Sequence, residues 1–245
     1  MTLLVALKGS DGMVLAADSR GTFGDPRQVT AQNDSIRKAF IVAEHVAVLQ
    51  AGSAELGAVI VKEAKGKLAQ NAGADGVATV LQTLRETATV RYNEWFPSVP
   101  QVAMPTPQGV MISRPDLVFI VGGYDVDAAG SYSQSVIYQL PSGLGFAPML
   151  HDYGFAVAGV PTYALYLLNR LYEADRKVDE LVPLAVYTIS ETASQDGKVG
   201  GPVRVIRITP AGSEELGGEQ VEAVMQANHG RATALRSSFY RRGRQ

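Results

Sequence analysis

The sequence has no cysteine, and among its 245 residues only three histidines and one tryptophan. Without cysteine there is no disulfide, no thiolate nucleophile and no Cys-ligated zinc or iron–sulfur site. Long hydrophobic runs are also missing. The apolar start at 1–7 is broken by Lys8 and Asp11, short of the roughly 7 to 15 apolar residues behind a basic region that make a secretory signal. No stretch approaches the roughly 18 to 20 apolar residues of a membrane span, so the chain is expected to be soluble and cytoplasmic. In that setting the sequon-like Asn33-Asp34-Ser35 is coincidental. Neither sign of charge dominates: 22 Lys and Arg stand against 24 Asp and Glu, a net charge of −2. That balance argues against a general nucleic-acid or membrane-surface binder.

Familiar catalytic motifs are absent too. The chain contains no G-x-S-x-G elbow, H-E-x-x-H pair, phosphate-binding Walker loop or G-x-G-x-x-G turn. Of the histidines, His45 falls in an expected turn and His229 near the end of the chain, and both are expected to face solvent. His151, beside Asp152, follows a glycine-rich loop without a catalytic context. Five arginines (231, 236, 241, 242, 244) and no acid follow Ala223. With only Phe239 and Tyr240 among them, they read as a solvated or subunit-contacting helix and not as a nucleic-acid patch.

What is present is a layered pattern. Residues 3–9 and 13–18 are apolar on both faces and are separated by Ser10-Asp11-Gly12, a hairpin of strands buried inside a layered structure. A second pair, 36–42 and 45–51, turns near Ala43-Glu44. From Ser53, a candidate cap, the period becomes helical, with Leu56, Val59, Ile60 and Ala64 on one face. A second helix is expected from about 75 to 96, with Val77, Val80, Leu81, Leu84 and Ala88 as its stripe. Five prolines between 97 and 115 mark a loop and not a regular element. Strands are expected at 117–122, 132–140, 153–158 and 203–208, and helices at 162–174, 179–194 and 219 to about 240. No repeat and no linker divides the chain, so residues 1–245 read as one domain with a helical extension at about 219–245. Runs of strands alternating with pairs of helices suggest two sheets with helices packed outside them.

Strand arithmetic gathers the chemistry. A turn at Ser10-Asp11 sets residue 8 near residue 13, and counting outward puts Thr2 beside 18–20. The second hairpin sets Lys38 near Ala51-Gly52. If both hairpins share a sheet, Thr2, Asp18, Lys38 and Gly52 meet at one end. Removal of Met1 by an aminopeptidase would give Thr2 a free α-amine, whose ordinary pKa of about 7.7 to 8.0 suits a base that activates the threonine hydroxyl. A lysine ammonium favours the developing alkoxide, an aspartate holds that lysine charged, and a glycine N–H can stabilise an oxyanion. Each residue alone also has a plain structural reading: a frayed end, an ion pair, a turn.

This constellation resembles the proteasome β-type subunits, N-terminal-nucleophile threonine peptidases. The matching pieces are Thr2, the run Gly12-Met13-Val14-Leu15-Ala16-Ala17-Asp18-Ser19-Arg20 with sixteen residues from nucleophile to aspartate, Lys38, and Ala51-Gly52-Ser53. Further on, Val121-Gly122-Gly123-Tyr124-Asp125, Val178-Asp179-Glu180 and Asp196-Gly197-Lys198-Val199-Gly200-Gly201 also match. The resemblance covers about residues 2–210 and implies an α+β fold, the four-layer αββα sandwich of the N-terminal-nucleophile hydrolases. It implies Thr2 as nucleophile and, through its amine, base; Asp18 and Lys38 as the activating pair; Gly52 as oxyanion donor; and Asp196 as an orienting group. Arg20, Gln50 and Ala54 would bind substrate, with Gln50 giving a small or polar floor to the specificity pocket. No cofactor or metal is implied. The implied partners are further copies of the chain in a ring, an unfoldase ATPase and polypeptide substrate, with no nucleic acid and no membrane.

The sequence also departs from the family pattern. Serines expected near the nucleophile are replaced by Gly159 or Val160 and by Val199, and no propeptide is expected ahead of Thr2, so the nucleophile is expected to depend on removal of Met1. Three functions stay open: a ring-forming threonine endopeptidase, a catalytically silent ring or scaffold subunit, and an N-terminal-nucleophile amidohydrolase or transpeptidase acting on one defined amide. Together, Thr2, Asp18, Lys38 and Asp196 favour the first and third, because a scaffold has no need of all four.

Overall fold

In the computed structural model, residues 2–24, 30–70, 76–97, 103–106, 109–112, 114–126 and 131–240 are described. The chain opens with β1 (Leu3–Lys8) and β2 (Met13–Ala17), paired so that Lys8 faces Met13 and Leu4 faces Ala17. A short ribbon follows, β3 (Gly21–Gly24) against β4 (Thr30–Asn33). Next come β5 (Ala39–Ala43) and β6 (Val46–Gly52), turning at Glu44-His45 with a bulge between Ile41 and Ala43. Two helices, α1 (Ala54–Gln70) and α2 (Val77–Trp95), lead to a second ribbon of β7 (Ala103–Thr106) and β8 (Gly109–Ile112). The long antiparallel pair β9 (Leu117–Val126) and β10 (Tyr132–Pro141) precedes the two-residue β11 (Met149–Leu150) and then β12 (Phe155–Gly159). The chain continues through α3 (Pro161–Leu171), α4 (Val178–Gln195), β13 (Arg204–Thr209), β14 (Gly212–Glu215) and α5 (Gly218–Tyr240).

Two five-stranded antiparallel sheets result, ordered β12-β1-β2-β13-β14 and β11-β10-β9-β6-β5. Strand alternation sends successive side chains to opposite faces, and here both faces are covered. In the first sheet, Leu3, Val5, Leu7, Val14 and Ala16 pack with α3 and α4, while Leu4, Ala6, Met13 and Leu15 point to the other sheet. In the second, Val46, Val48, Leu117, Phe119 and Val121 pack under α1 and α2, while Ala47, Leu49 and Ile120 complete the inter-sheet layer. The small side chains and glycines of that middle layer let the sheets approach closely. A Cβ on Gly122 would lie 2.8 Å from Met13 Sδ. The layers are therefore helix, sheet, sheet, helix, the αββα sandwich that the element order suggested, with α5 packed on α4 outside it.

Several expectations need correction. The two N-terminal hairpins do not share a sheet: β1 and β2 are in one and β5 and β6 in the other, facing across the middle layer. Strands buried on both faces look the same whichever sheet holds them. The proline-rich 97–115 segment holds the β7–β8 ribbon, in which Pro105 stands opposite Val110, a two-stranded setting where a missing N–H is tolerated. His45 is buried, not solvent-facing: its ring stacks on Tyr132 at 3.7 Å and its Nε2 lies 3.0 Å from the Pro210 carbonyl. Val59 lies outside the buried stripe of α1, at 43% exposure. No described helix is long and apolar enough to cross a membrane.

Candidate functional site at the start of the first strand

The first strand delivers Thr2 to one end of the sandwich and fixes it from both sides. Val160 N–H donates to the Thr2 carbonyl at 2.8 Å, and the next amide, Leu3 N–H, donates to Asp18 Oδ1 at 3.0 Å. Gly159 makes the first contact sterically feasible. Its φ is +96°, and a Cβ there would sit 1.8 Å from the Thr2 carbonyl oxygen, so no residue with a side chain fits. Hairpin register does the rest: Leu4 faces Ala17, which places Asp18 beside Leu3 and Ser19 beside Thr2.

Asp18 is fully buried and saturated with donors. Oδ1 accepts from Leu3 N–H and from Lys38 Nζ at 2.7 Å; Oδ2 accepts from Arg20 N–H at 3.2 Å and Gly200 N–H at 3.1 Å. All four hydrogen bonds are accepted by the two carboxylate oxygens, which fixes the side chain from four directions. Lys38, 3% exposed, also donates to the Arg20 carbonyl at 2.6 Å. Burial pushes its ammonium below the usual lysine range, and the neighbouring carboxylates of Asp18 and then Asp34 pull it back up. The ammonium has three donors, and two are accounted for by Asp18 and Arg20.

A cleft of ≈ 180 Å³ opens beside Thr2 and Lys38, walled by Thr22 of the β3–β4 ribbon, by Ile36, and by the β6–α1 turn with Gln50, Gly52, Ala54 and Glu55. The turn needs Gly52: its φ is +111°, and a Cβ would fall 2.0 Å from the Asp116 carbonyl oxygen. Gln50 fastens strand to helix, its Nε2 donating to the carbonyls of Arg37 (3.3 Å) and Ala54 (3.2 Å). Its Oε1 lies against Gly57 of α1, where a Cβ would be only 1.7 Å away.

Of the residues picked from the sequence, Thr2, Lys38, Gly52, Gln50 and Ala54 line one cleft, and Asp18 lies directly behind Lys38. The second hairpin falls within a residue of the expected register, with Gln50 N–H donating to the Lys38 carbonyl at 2.9 Å. Two residues are placed differently. The Arg20 guanidinium is engaged away from the cleft, with Asp34 at 2.7 and 2.8 Å and the Gly197 carbonyl at 3.1 Å. Asp196 caps the end of α4, its N–H donating to the Thr192 carbonyl at 2.8 Å and its Oδ1 accepting from Lys198 N–H at 2.9 Å. Among the described residues, no hydrogen bond joins it to Thr2. Where hydroxyls were expected, Val199 is buried in the core under α4, and Val160 is buried with its amide on Thr2. The sequence reading overlooked Asp34, Thr22 and Glu55. Their only signal was proximity in sequence, of Thr22 to Arg20, of Asp34 to Lys38 and of Glu55 to Gly52, which polar residues share everywhere. His151 bonds Tyr153 and Gln139 through its two ring nitrogens, and burial lowers its pKa. No described group of acidic or histidine side chains could hold a metal.

An αββα sandwich whose first strand starts at the mouth of a cleft is the fold of the N-terminal-nucleophile hydrolases. A family model described as Proteasome subunit matches residues 2–91. Proteasome subunit beta 2 of Pyrococcus abyssi is 25% identical, with 92% of this chain and 95% of its own length covered. Proteasome subunit beta of Archaeoglobus profundus is 26% identical over 92% and 93%. Among solved structures, Anbu (ancestral beta-subunit) from Yersinia bercovieri superposes with a TM-score of 0.74 at 16% identity, covering 99% of this chain and 98% of its own. The chain is thus similar to proteasome β-type subunits over most of its length.

Proposed function

We propose that this chain is a threonine-type endopeptidase that cleaves unfolded polypeptides or peptides inside a ring of subunits, with Thr2 as nucleophile once Met1 is removed. The observation that carries the reading is the buried Lys38–Asp18 pair, 2.7 Å apart, in the wall of the cleft that Thr2 lines. Burying two charges costs several kcal/mol per ion before their attraction offsets it. Thr2, Lys38 and Gly52 have a shared use in acyl transfer.

In that use the α-amine of Thr2, directly or through water, takes the hydroxyl proton as Oγ1 attacks the scissile carbonyl carbon. The Lys38 ammonium stabilises the alkoxide as it develops. The carbonyl oxygen, now negative, is stabilised by the Gly52 N–H. Collapse breaks the C–N bond, the protonated α-amine of Thr2 passes the proton it took to the leaving amine, and an ester to Oγ1 remains for water to hydrolyse. Asp18 holds Lys38 charged and in place throughout. Gln50 and Ala54 shape the cleft for the substrate side chain beside the attacked carbonyl, and Asp196 orders the turn after α4.

The second reading is a ring or scaffold subunit without turnover, favoured by the lack of hydroxyls at positions 159, 160 and 199. Peptide and unfolded-protein hydrolysis by the native chain, by Thr2→Ala and by Thr2→Ser separates the two. The peptidase reading expects turnover in the native chain, none in Thr2→Ala and a residual rate in Thr2→Ser. No turnover in either would leave the scaffold, and equal measurable rates in the native chain and Thr2→Ala would contradict Thr2 as nucleophile. Cleavage of one amide only, with unfolded chains untouched, would mark a dedicated amidohydrolase.

A further inference from the structure

Arg20 was expected to meet substrate, yet its side chain points elsewhere and its main chain belongs to the site. Its N–H reaches Asp18 Oδ2 at 3.2 Å and its carbonyl accepts Lys38 Nζ at 2.6 Å. Whatever fixes the Arg20 backbone therefore fixes both charges of the buried pair. The guanidinium is anchored at two points: Nε and Nη2 grip both oxygens of Asp34, and Nη1 donates to the Gly197 carbonyl. Asp34 stands at the base of the β3–β4 ribbon, next to Asn33 opposite Gly21, and four residues ahead of Lys38. Gln32 of the same ribbon also donates to the Gly197 carbonyl, at 3.3 Å.

The turn after α4 is built around this pair. A Cβ on Gly200 would lie 2.6 Å from the Arg20 guanidinium carbon, and one on Gly201, whose φ is +70°, 2.9 Å from the Asp34 Cβ. Gly200 is also bonded through its own backbone, N–H to Asp18 Oδ2 and carbonyl to Ser19 N–H at 3.0 Å. Three segments distant in sequence, at 18–21, 32–38 and 196–201, thus converge on one ion pair.

We propose that Arg20 and Asp34 are positioning residues of the Thr2 site, a two-armed clamp that holds the 196–201 turn, the Arg20 main chain and the segment leading to Lys38 in register. This rests on the threonine-nucleophile reading above. A partly exposed ion pair adds little stability, with side chains here 22% and 42% exposed. Its value is directional, because a planar guanidinium on a carboxylate fixes orientation as well as distance.

The test measures the rate of covalent labelling of Thr2 by a peptide β-lactone, and peptide turnover, as functions of pH. The proteins compared are the native chain, Arg20→Gln, Asp34→Asn and Arg20→Lys, each with its melting temperature. The charged groups around Lys38 are Asp18, Arg20 and Asp34, the Thr2 amine, and Glu55 across the cleft. Both Arg20→Gln and Asp34→Asn are expected to lose between about 10-fold and 100-fold in kcat and labelling rate, the scale of a small misplacement, with KM and melting temperature little changed. The limb of the pH profile that reports Lys38 moves in opposite directions: down in Asp34→Asn, where a carboxylate is lost, and up in Arg20→Gln, where Asp34 is left unmatched. Arg20→Lys keeps the charge, leaves the limb in place, and still loses rate because the two-point grip is gone. Native-like rates in Arg20→Gln and Asp34→Asn would overturn the clamp, and so would losses that merely follow melting temperature with the limb unmoved. A native chain that takes no label would instead sink the nucleophile reading, and the clamp with it.

Discussion

Asp18 is the residue on which most of the site converges. It accepts from the amides of Leu3, Arg20 and Gly200 and from Lys38, which come from four separate stretches of chain. Replacement by asparagine keeps the size but removes the charge and puts an NH2 where only acceptors fit. Removing one partner of a buried pair costs about 3–5 kcal/mol, because the other charge stays buried unmatched. Asp18→Asn should lower stability by that order in urea unfolding and abolish β-lactone labelling. Adding Lys38→Met removes the orphaned charge, so the double variant should recover most of the stability while remaining inert. Recovery of activity along with stability would contradict the assigned roles. At this scale the sequence was informative for residues tied to regular strands. Thr2, Asp18 and Lys38 follow from counting along hairpins. The partnership of Arg20 with Asp34 does not, because it depends on how the β3–β4 ribbon folds back, and that ribbon has no apolar alternation to announce it.

Among the elements, the glycines separate those that carry the site from those that do not. Gly159 ends β12 in a left-handed conformation, against the carbonyl of Thr2. A methyl group there meets backbone and not a flexible side chain, so the strand end itself must move. Gly159→Ala is expected to cost about 1–3 kcal/mol, as overpacking does, and to slow labelling of Thr2. Gly66 lies inside α1 with nothing within 4 Å of an added Cβ. Gly66→Ala should instead stabilise by about 0.5–1 kcal/mol through helix propensity, with labelling unchanged. Thermal unfolding and labelling rate, measured together, check both. Long elements with a clear period were legible in the sequence: α2 buries Val77, Val80, Leu81, Leu84 and Ala88 as its spacing indicates. Short polar pairs were not. β14 was passed over, and the β7–β8 ribbon was hidden among prolines, because two or four paired residues leave no periodic trace.

Across the whole molecule, the cleft lies where two sheets face each other. Thr2 and Asp18 come from the first sheet's leading hairpin, whereas Lys38 and Gly52 flank the hairpin of the second. The catalytic reading therefore requires the complete sandwich, and no single hairpin could assemble the site. Sequence alone gave the layers through the order of elements, but could not say that the two hairpins face each other across the middle layer. Apolar residues on both faces fit either sheet equally well, and the pairing of β1 with β12 and of β6 with β9 joins residues more than 60 positions apart. The central claim is that Thr2 is a free N-terminal nucleophile. It is tested most directly by intact mass of the native protein before and after a peptide β-lactone, with the label then located by peptide mapping. The account expects a chain that has lost Met1 and gains the mass of one inhibitor as an ester on Thr2, with no gain in Thr2→Ala. A chain that retains Met1, or a label that persists in Thr2→Ala, would contradict it.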